Sequence, residues 1–271
     1  MIILVLGLLL LAAALWLLTA CRRGHRAWPV LGKYLYAHRG YHNKPTIPEN
    51  SMAAFRAAVE RGWGAELDVH LMKDGSLAVI HDSSLRRTAG ADAAVEDLTA
   101  EELNAYPLED SQERIPLLPE VLELFRGKAP LIIELKPFRG NHAALSQAVA
   151  ELLDGYDGDY CIESFDPRVV RWFRRNRPEV CRGQLAENFL RGEGPLPGYM
   201  KFLLTGLLLN FGTRPDFIAY KFEDRNCWGM GLCRFLHRPV EVSWTLRNGT
   251  DLAAARREGK LVIFEQFDPT E

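Results

Sequence analysis

Glu66 and Asp68 stand two apart in GAELDVHLMKDGSLAVIHD, residues 64 to 82, and Glu134 and Lys136 repeat the spacing in PLIIELKP. Along a β-strand, residues i and i+2 share a face. Both segments are otherwise apolar, where an ionised side chain is costly unless it has a partner. The carboxylates of Glu66, Asp68 and Glu134 make a hard oxygen set that suits Mg²⁺ or Ca²⁺ rather than zinc or copper. His38 ends the run YLYAH and His81 ends SLAVIH. Imidazoles titrate near neutrality, so such a pair suits general acid and base roles. Arg39 and Lys136 add fixed positive charge, Arg39 with a fork that matches phosphate. This set fits phosphodiester cleavage better than sugar or acyl chemistry. The plainer reading is a set of structural ion pairs, Lys136 with Glu66 for example.

These groups need strands that end on a common side. After residue 34, short apolar runs alternate with helical patterns. YLYAHRG, AELDVHL, SLAVIH, PLIIELK, DYCIESF, VCRGQL, DFIAYKF and VEVSWTL read as strands. Helical patterns separate most of them, as in ENSMAAFRAAVERG, where Asn50 or Ser51 caps the start and Gly62 the end. The alternation predicts an α/β chain folded as a (β/α)8 TIM barrel, with a doubly wound sheet as the other arrangement. A barrel mouth is the inexpensive place for charged strand ends, and it is where such folds build sites. Asp74-Gly75 signals a turn between the second and third runs. A tight hairpin there makes facing positions sum to 149, placing Asp68 opposite His81 with Cβ atoms about 5 Å apart. The barrel is therefore expected to be irregular at strands 2 and 3, because parallel neighbours need a longer crossover.

At this point the sequence resembles the glycerophosphodiester phosphodiesterases. HRG at 38–40, PENS at 48–51, ELD at 66–68, DG at 74–75, HD at 81–82 and ELK at 134–136 match that family in order and spacing. LRRTAG, ESFDP and SWTLRN resemble its weaker later motifs, so that the likeness runs over residues 34 to 265. The resemblance implies a metal-dependent TIM-barrel hydrolase that releases an alcohol and glycerol 3-phosphate. It implies Glu66, Asp68 and Glu134 as metal ligands and His38 and His81 as the acid–base pair. Arg39 and Lys136 would bind phosphate, Glu49 and Asn50 would support the site, and Trp244 would line the substrate. Glu49-Asn50 also reads simply as a helix start, and Trp244 as core. The family's acidic-Arg-Pro closing motif is absent; IFEQFDP stands there instead. Two other functions remain open: lysophospholipase D-type cleavage of lysophospholipids, and a retired barrel that binds lipid without catalysis.

The chain has 271 residues, 48% of them hydrophobic, and a formal charge of −2. Near-neutral charge gives no sign of nucleic-acid binding. Its five cysteines show no C-x-x-C spacing and read as reduced thiols. The first twenty residues carry no charge, and Arg22, Arg23 and Arg26 follow. That order predicts an uncleaved single-pass transmembrane anchor over 1–21, a basic juxtamembrane linker over 22–33, and a barrel over 34–271 on the cytoplasmic side. The alternative is a lipoprotein, since Leu18-Thr19-Ala20-Cys21 resembles a lipobox that would lipidate Cys21. Residues 186–215 read as an insertion whose apolar stretch, 201–212, is too short to span a membrane. It would form a helix packed on the barrel or one that dips into the bilayer interface.

Overall fold

The computed structural model describes residues 1–43, 46–109 and 111–270; residue 271, the end of the expected barrel domain, lies outside them. Nine strands are present among these residues: β1 (Tyr36–Ala37), β2 (Gly64–Leu71), β3 (Leu77–Val79), β4 (Leu131–Leu135), β5 (Tyr160–Ser164), β6 (Arg182–Ala186), β7 (Phe217–Lys221), β8 (Val240–Leu246) and β9 (Leu261–Phe264). Leaving out β3, the other eight pair side by side in parallel, and the β1–β2 pairing closes them into a barrel. The expected TIM barrel is therefore the observed fold.

Its membership differs from the sequence reading at two strands. SLAVIH is not a stave of the barrel. As β3 it folds back antiparallel on the upper end of β2, with Val69 facing Val79, His70 facing Ala78 and Leu71 facing Leu77. Facing positions sum to 148, so the predicted register was off by one, and Asp68 O accepts from Ile80 N rather than lying opposite His81. The eighth stave is β9, in the segment where the family's closing motif is missing. The expected irregularity at strands 2 and 3 is this hairpin.

The helices are α1 (Ile2–Leu18), α2 (Trp28–Leu31), α3 (Met52–Glu60), α4 (Arg86–Ala89), α5 (Ala100–Leu103), α6 (Leu118–Phe125), α7 (His142–Leu153), α8 (Pro167–Asn176), α9 (Gly198–Thr205), α10 (Asn210–Thr213), α11 (Trp228–His237) and α12 (Gly249–Arg257). Local chemistry sets their ends. The Ser51 hydroxyl accepts from Ala54 N and begins α3. Asp166 accepts from Arg168 N, with Pro167 in the first turn, and begins α8. Asn248 accepts from Asp251 N and begins α12.

The lumen is layered. Ile132, Cys161, Phe217, Ala219, Val242 and Ile263 belong to one buried apolar cluster in its lower part. Two residues further along their strands, on the same face, stand Glu134, Glu163, Lys221, Trp244 and Glu265. Oil below and charge above follow from this two-residue step. Phe217 fits its layer because Gly183 is beside it: a Cβ at Gly183 would lie 2.2 Å from the Phe217 ring. Such a buried Phe contributes about 3–5 kcal/mol against truncation to Ala.

Residues 22–33, expected as a linker, lie across the floor of the barrel at the strand N-termini. The Arg22 guanidinium pairs with Asp216, and its amide donates to Pro215 O at 2.8 Å. A ring nitrogen of His25 is 2.9 Å from Glu179 O. Trp28 stacks edge-on against Phe217 at 5.3 Å, and Leu31 is buried in the lumen cluster.

The expected transmembrane helix is shorter than the sequence reading. α1 has 17 residues, about 25 Å at ~1.5 Å per residue against a hydrocarbon core of ~30 Å. Among the described residues no helix is long and apolar enough to cross a membrane. α1 is apolar and almost wholly exposed; near its end His237 lies 3.0 Å from Trp16 O and 3.1 Å from the Thr19 hydroxyl. In the insertion, Leu207 and Leu208 are buried while Tyr199, Phe202 and Phe211 face outward.

Candidate active site

The upper rim gathers the predicted residues into one site. Glu66, Asp68 and Glu134 are buried, and each offers an oxygen within 4.8 Å of the others. Lys136 bridges two of them, with Nζ 3.1 Å from Asp68 Oδ1 and 2.9 Å from Glu134 Oε1. The alternative pair of Lys136 with Glu66 does not form. The Asn50 amide donates to Asp68 Oδ2 at 2.9 Å, and Arg39 Nε lies 3.5 Å from the same oxygen.

His38 and Arg39 follow β1 directly. His38 N donates to Phe264 O at 2.8 Å, which ties the end of β1 to the end of β9. Arg39 and Gly40 then take positive φ, 54° and 77°. This double left-handed step turns the chain so that Arg39 N donates to Glu66 Oε2 at 3.2 Å. A side chain at Gly40 would meet the Ala54 backbone at 2.8 Å, so the turn and the packing of α3 both require glycine. His38 Nε2 lies 3.8 Å from Glu66 Oε2. Burial, reinforced by Arg39, lowers the His38 imidazole to about 4, against the pull of Glu265. It is therefore neutral at pH 7 and able to take a proton.

His81 is held from its other side. Its Nδ1 is 2.6 Å from Asp82 Oδ1, which leaves Nε2 for chemistry. Arg87 Nε donates to Asp82 Oδ2 at 2.5 Å, and its NH2 donates to Glu49 Oε1 at 2.7 Å. Arg39 NH1 reaches that same Glu49 oxygen at 2.7 Å. Glu49 thus joins the two arginines. Beneath the loop, His70 Nε2 lies 3.2 Å from His81 O, with its Nδ1 2.6 Å from the buried Glu96. Burial lowers the His81 imidazole, partly offset by Asp68.

Trp244 reaches the mouth through other rings. It packs edge-on against Phe165 at 5.5 Å, and Phe165 lies under Lys136 Nζ at 5.9 Å and beside Phe189 at 6.1 Å. Among the described residues the buried Trp244 Nε1 finds no hydrogen-bond partner.

The carboxylate cluster has the properties of a cation site. Burial pushes Glu66 well up, with Asp68 and Glu134 adding to the effect. Burial also brings Glu134 to about 7, opposed by Lys136. Asp68 is buried too, yet Lys136, His81 and Arg39 hold it well below the usual range. Among the described residues no Lys or Arg side-chain nitrogen comes within 4.0 Å of Glu66; its contacts are the Arg39 amide and His38. A buried carboxylate so placed fits a divalent cation shared with Asp68 and Glu134.

Four residues around the site went unassigned in the sequence. Asp82 and Arg87 sit inside quoted motifs without a role having been given to them. Glu163 is buried opposite Glu134 in the β4–β5 register, where burial pushes its carboxyl well up. Glu265 lies 3.4 Å from His38 Nδ1. Both glutamates follow an apolar lumen residue by two positions, and that was the signal available for finding them.

A family model, the glycerophosphoryl diester phosphodiesterase family, matches residues 38–197. The chain belongs to this family. A glycerophosphodiester phosphodiesterase of Bacillus altitudinis is 36% identical over 157 residues, which cover 54% of this chain and 63% of that protein. The chain thus matches less than two thirds of that relative's length. Lysophospholipase D GDPD1 of Rattus norvegicus is 38% identical over 125 residues, 41% of this chain and 38% of that one. A solved Oleispira antarctica phosphodiesterase, in complex with the product sn-glycerol-3-phosphate, superposes with a TM-score of 0.70 at 22% identity. That match covers 86% of this chain and 92% of the other, and it shows the shared barrel.

Proposed function

We propose that the protein is a metal-dependent hydrolase that cleaves glycerophosphodiesters to an alcohol and glycerol 3-phosphate. The observation that carries this reading is the convergence at one mouth of three buried carboxylates and two histidines, each histidine beside a carboxylate of its own. The named relatives and the bound product of the Oleispira protein support the substrate class.

Glu66, Asp68 and Glu134 would hold Mg²⁺ or Ca²⁺, which when bound supplies charge to polarise the phosphoryl group. Arg39 and Lys136 offset charge gathering on the phosphoryl oxygens. Neutral His38 takes the proton from the attacking oxygen, water or a neighbouring glycerol hydroxyl. As the new P–O bond forms, the bond to the departing alkoxide breaks, and His81, entering the step as the imidazolium with Asp82 at its Nδ1–H, gives that oxygen its Nε2 proton. Glu49 and Asn50 keep Arg39 and Asp68 in place, and Trp244 with Phe165 forms the apolar wall of the mouth.

The test is phosphodiester hydrolysis by the full chain, stripped of metal and then given Mg²⁺ or Ca²⁺. Glycerophosphocholine, glycerophosphoethanolamine, glycerophosphoglycerol and a lysophospholipid make the panel. Metal-restored release of glycerol phosphate is expected. His38→Ala and His81→Ala should each lower turnover by about 10²–10⁴-fold, and normal turnover without either histidine would refute the assignment. Cleavage of micellar lysophospholipid with no action on soluble diesters selects the second reading, lysophospholipase D chemistry. An intact acid–base pair argues against a retired, binding-only barrel.

The same reading places the protein at a membrane through α1, with the barrel on the cytoplasmic side, as the arginines after the apolar run indicate. A lipid on Cys21 fits poorly, because its thiol packs 3.6 Å from Cys233 Sγ. Protease protection in intact cells tests sidedness; external cleavage of the barrel without lysis would overturn it.

A further inference from the structure

The flank from which α1 departs carries charge that the catalytic site does not use. Arg171, Arg174 and Arg175 line one open cleft with Phe211 and Gly212. Arg174 NH1 donates to Phe211 O at 2.8 Å and to Gly212 O at 2.9 Å, so α8 and α10 are locked together. Arg214, two residues beyond, adds a fourth guanidinium. Among the described residues none of these four lies within ion-pair distance of a carboxylate, although most other arginines of the chain do. Burial and the repulsion of Arg214, Arg175 and Arg171 lower the pKa of Arg174. Four like charges gathered without counter-charge form an anion-binding surface.

What adjoins that surface selects the anion. α10 touches α1 as well as α8. Phe211, which lines the cleft with the arginines, is exposed, and Phe235 on α11 is 82% exposed. Two residues beyond Phe235 on that helix, His237 holds the end of α1 through Trp16 and Thr19. Cationic side chains beside exposed aromatic rings and a wholly apolar helix match one partner, a bilayer with anionic headgroups. A nucleic acid or free phosphate would use the arginines and leave α1 unexplained. A second copy of the chain would bring four more arginines to the same place.

We propose that this flank is a docking surface for an anionic phospholipid bilayer, with α1 in the apolar layer and Arg171, Arg174, Arg175 and Arg214 at the headgroup phosphates. The proposal rests on the membrane reading above and adds to it the lipid charge and the docking face. That face lies toward the strand N-termini, where Arg214 precedes β7 and Arg22 meets Asp216. The catalytic mouth is at the opposite ends of the strands and faces away from the lipid.

The experiment is vesicle flotation of the full chain, freed of detergent, against phosphatidylcholine alone and against equal parts phosphatidylcholine and phosphatidylglycerol. The triple variant Arg171→Gln, Arg175→Gln, Arg214→Gln is run beside it, with thermal unfolding and glycerophosphocholine hydrolysis as controls for the fold. The expected result is tighter binding to the anionic vesicles, weakened by salt, and about 100-fold weaker for the triple variant at about a tenfold loss or less per arginine. Binding to neutral vesicles should not change. Equal binding of wild type and variant to anionic vesicles would overturn the proposal and leave the membrane reading standing, with α1 alone responsible. No binding of the wild type to either vesicle, or self-association through α1 in place of flotation, would overturn both.

Discussion

The Glu265 carboxylate lies between two imidazoles, 3.4 Å from Nδ1 of His38 and 3.5 Å from Nε2 of His42, while Arg247 donates to it at 2.8 Å. Although burial pushes this carboxyl up, His38, His42 and Arg247 hold it well below the usual range. A fixed negative charge 3.4 Å behind His38 Nδ1 favours a proton on that nitrogen and leaves Nε2 toward Glu66. Glu265→Gln keeps the size and removes the charge. Its turnover should fall on the order of 100-fold with KM little changed. Glu265→Asp should recover part of it. Steady-state kinetics check this, and an unchanged kcat in Glu265→Gln would remove Glu265 from the positioning of His38.

Among the described residues no Lys or Arg side-chain nitrogen lies within 4.0 Å of Glu66, and burial pushes its carboxyl well up, so its ionised form weakens the metal-free fold. Glu66→Gln should raise the melting temperature of metal-free protein. The wild type should gain about 2.7 kcal/mol from metal at a hundredfold excess over Kd, and the variant should lose most of that gain. Calorimetric unfolding with and without Mg²⁺ or Ca²⁺ reads both changes. A variant that is less stable without metal would contradict the unpaired-charge reading.

Glu96 provides a pH test remote from the metal ligands. Its burial opposes ionisation, but His70 and the Ser83 hydroxyl, each at 2.6 Å, outweigh it and lower the carboxyl. A depressed folded value means that the unfolded chain binds the proton first. The pair's contribution is therefore complete above the unfolded carboxyl's pKa of about 4.3. It is lost as pH falls through the lower folded value. Glu96→Gln should flatten the acid side of the stability–pH curve and loosen the loop that carries His81. A curve unchanged below pH of about 4 would rule this out.

The Sγ atoms of Cys21 and Cys233 lie 3.6 Å apart, with both thiols free. A disulfide needs about 2.05 Å, a small approach at the flexible end of two side chains. Treatment with the thiol oxidant diamide should yield a Cys21–Cys233 crosslink, found by peptide mass spectrometry. Hydrolysis of soluble diesters should persist, because the pair is remote from the mouth. Failure to crosslink in native protein, with crosslinking of other cysteines, would show that the end of α1 is not docked against α11.

Much of this architecture was readable in the residues. The i, i+2 acids pointed to a shared strand face, and Glu66, Asp68 and Glu134 do converge. Helix starts at Ser51 and Asp166 follow from capping chemistry that acts over three residues. What failed were contacts made across the closed barrel. SLAVIH carries the alternation of a stave, yet it pairs antiparallel on β2, and local pattern does not distinguish the two. β9 has only four residues and ends in an unfamiliar motif, so its place as the closing strand, and with it the approach of Glu265 to His38, depends on ring closure. Residues 22–33 read as a basic juxtamembrane linker because Arg22, Arg23 and Arg26 follow the apolar run, yet Arg22 and His25 are tied to the barrel floor. Their partners, Asp216 and Glu179 O, lie more than 150 positions away in the chain.

That floor has a mechanical consequence. Because residues 22–33 are spent sealing the barrel, no slack chain separates α1 from the catalytic body. On the membrane docking proposed above, the protein would ride a bilayer as a rigid mount with a set attitude, free to spin about the bilayer normal but not to bow toward the lipid. Its mouth would sample the aqueous space about one barrel length out. Soluble diesters would meet it there at any moment, whereas a lysophospholipid of the same leaflet would be out of reach and one in a facing membrane would not.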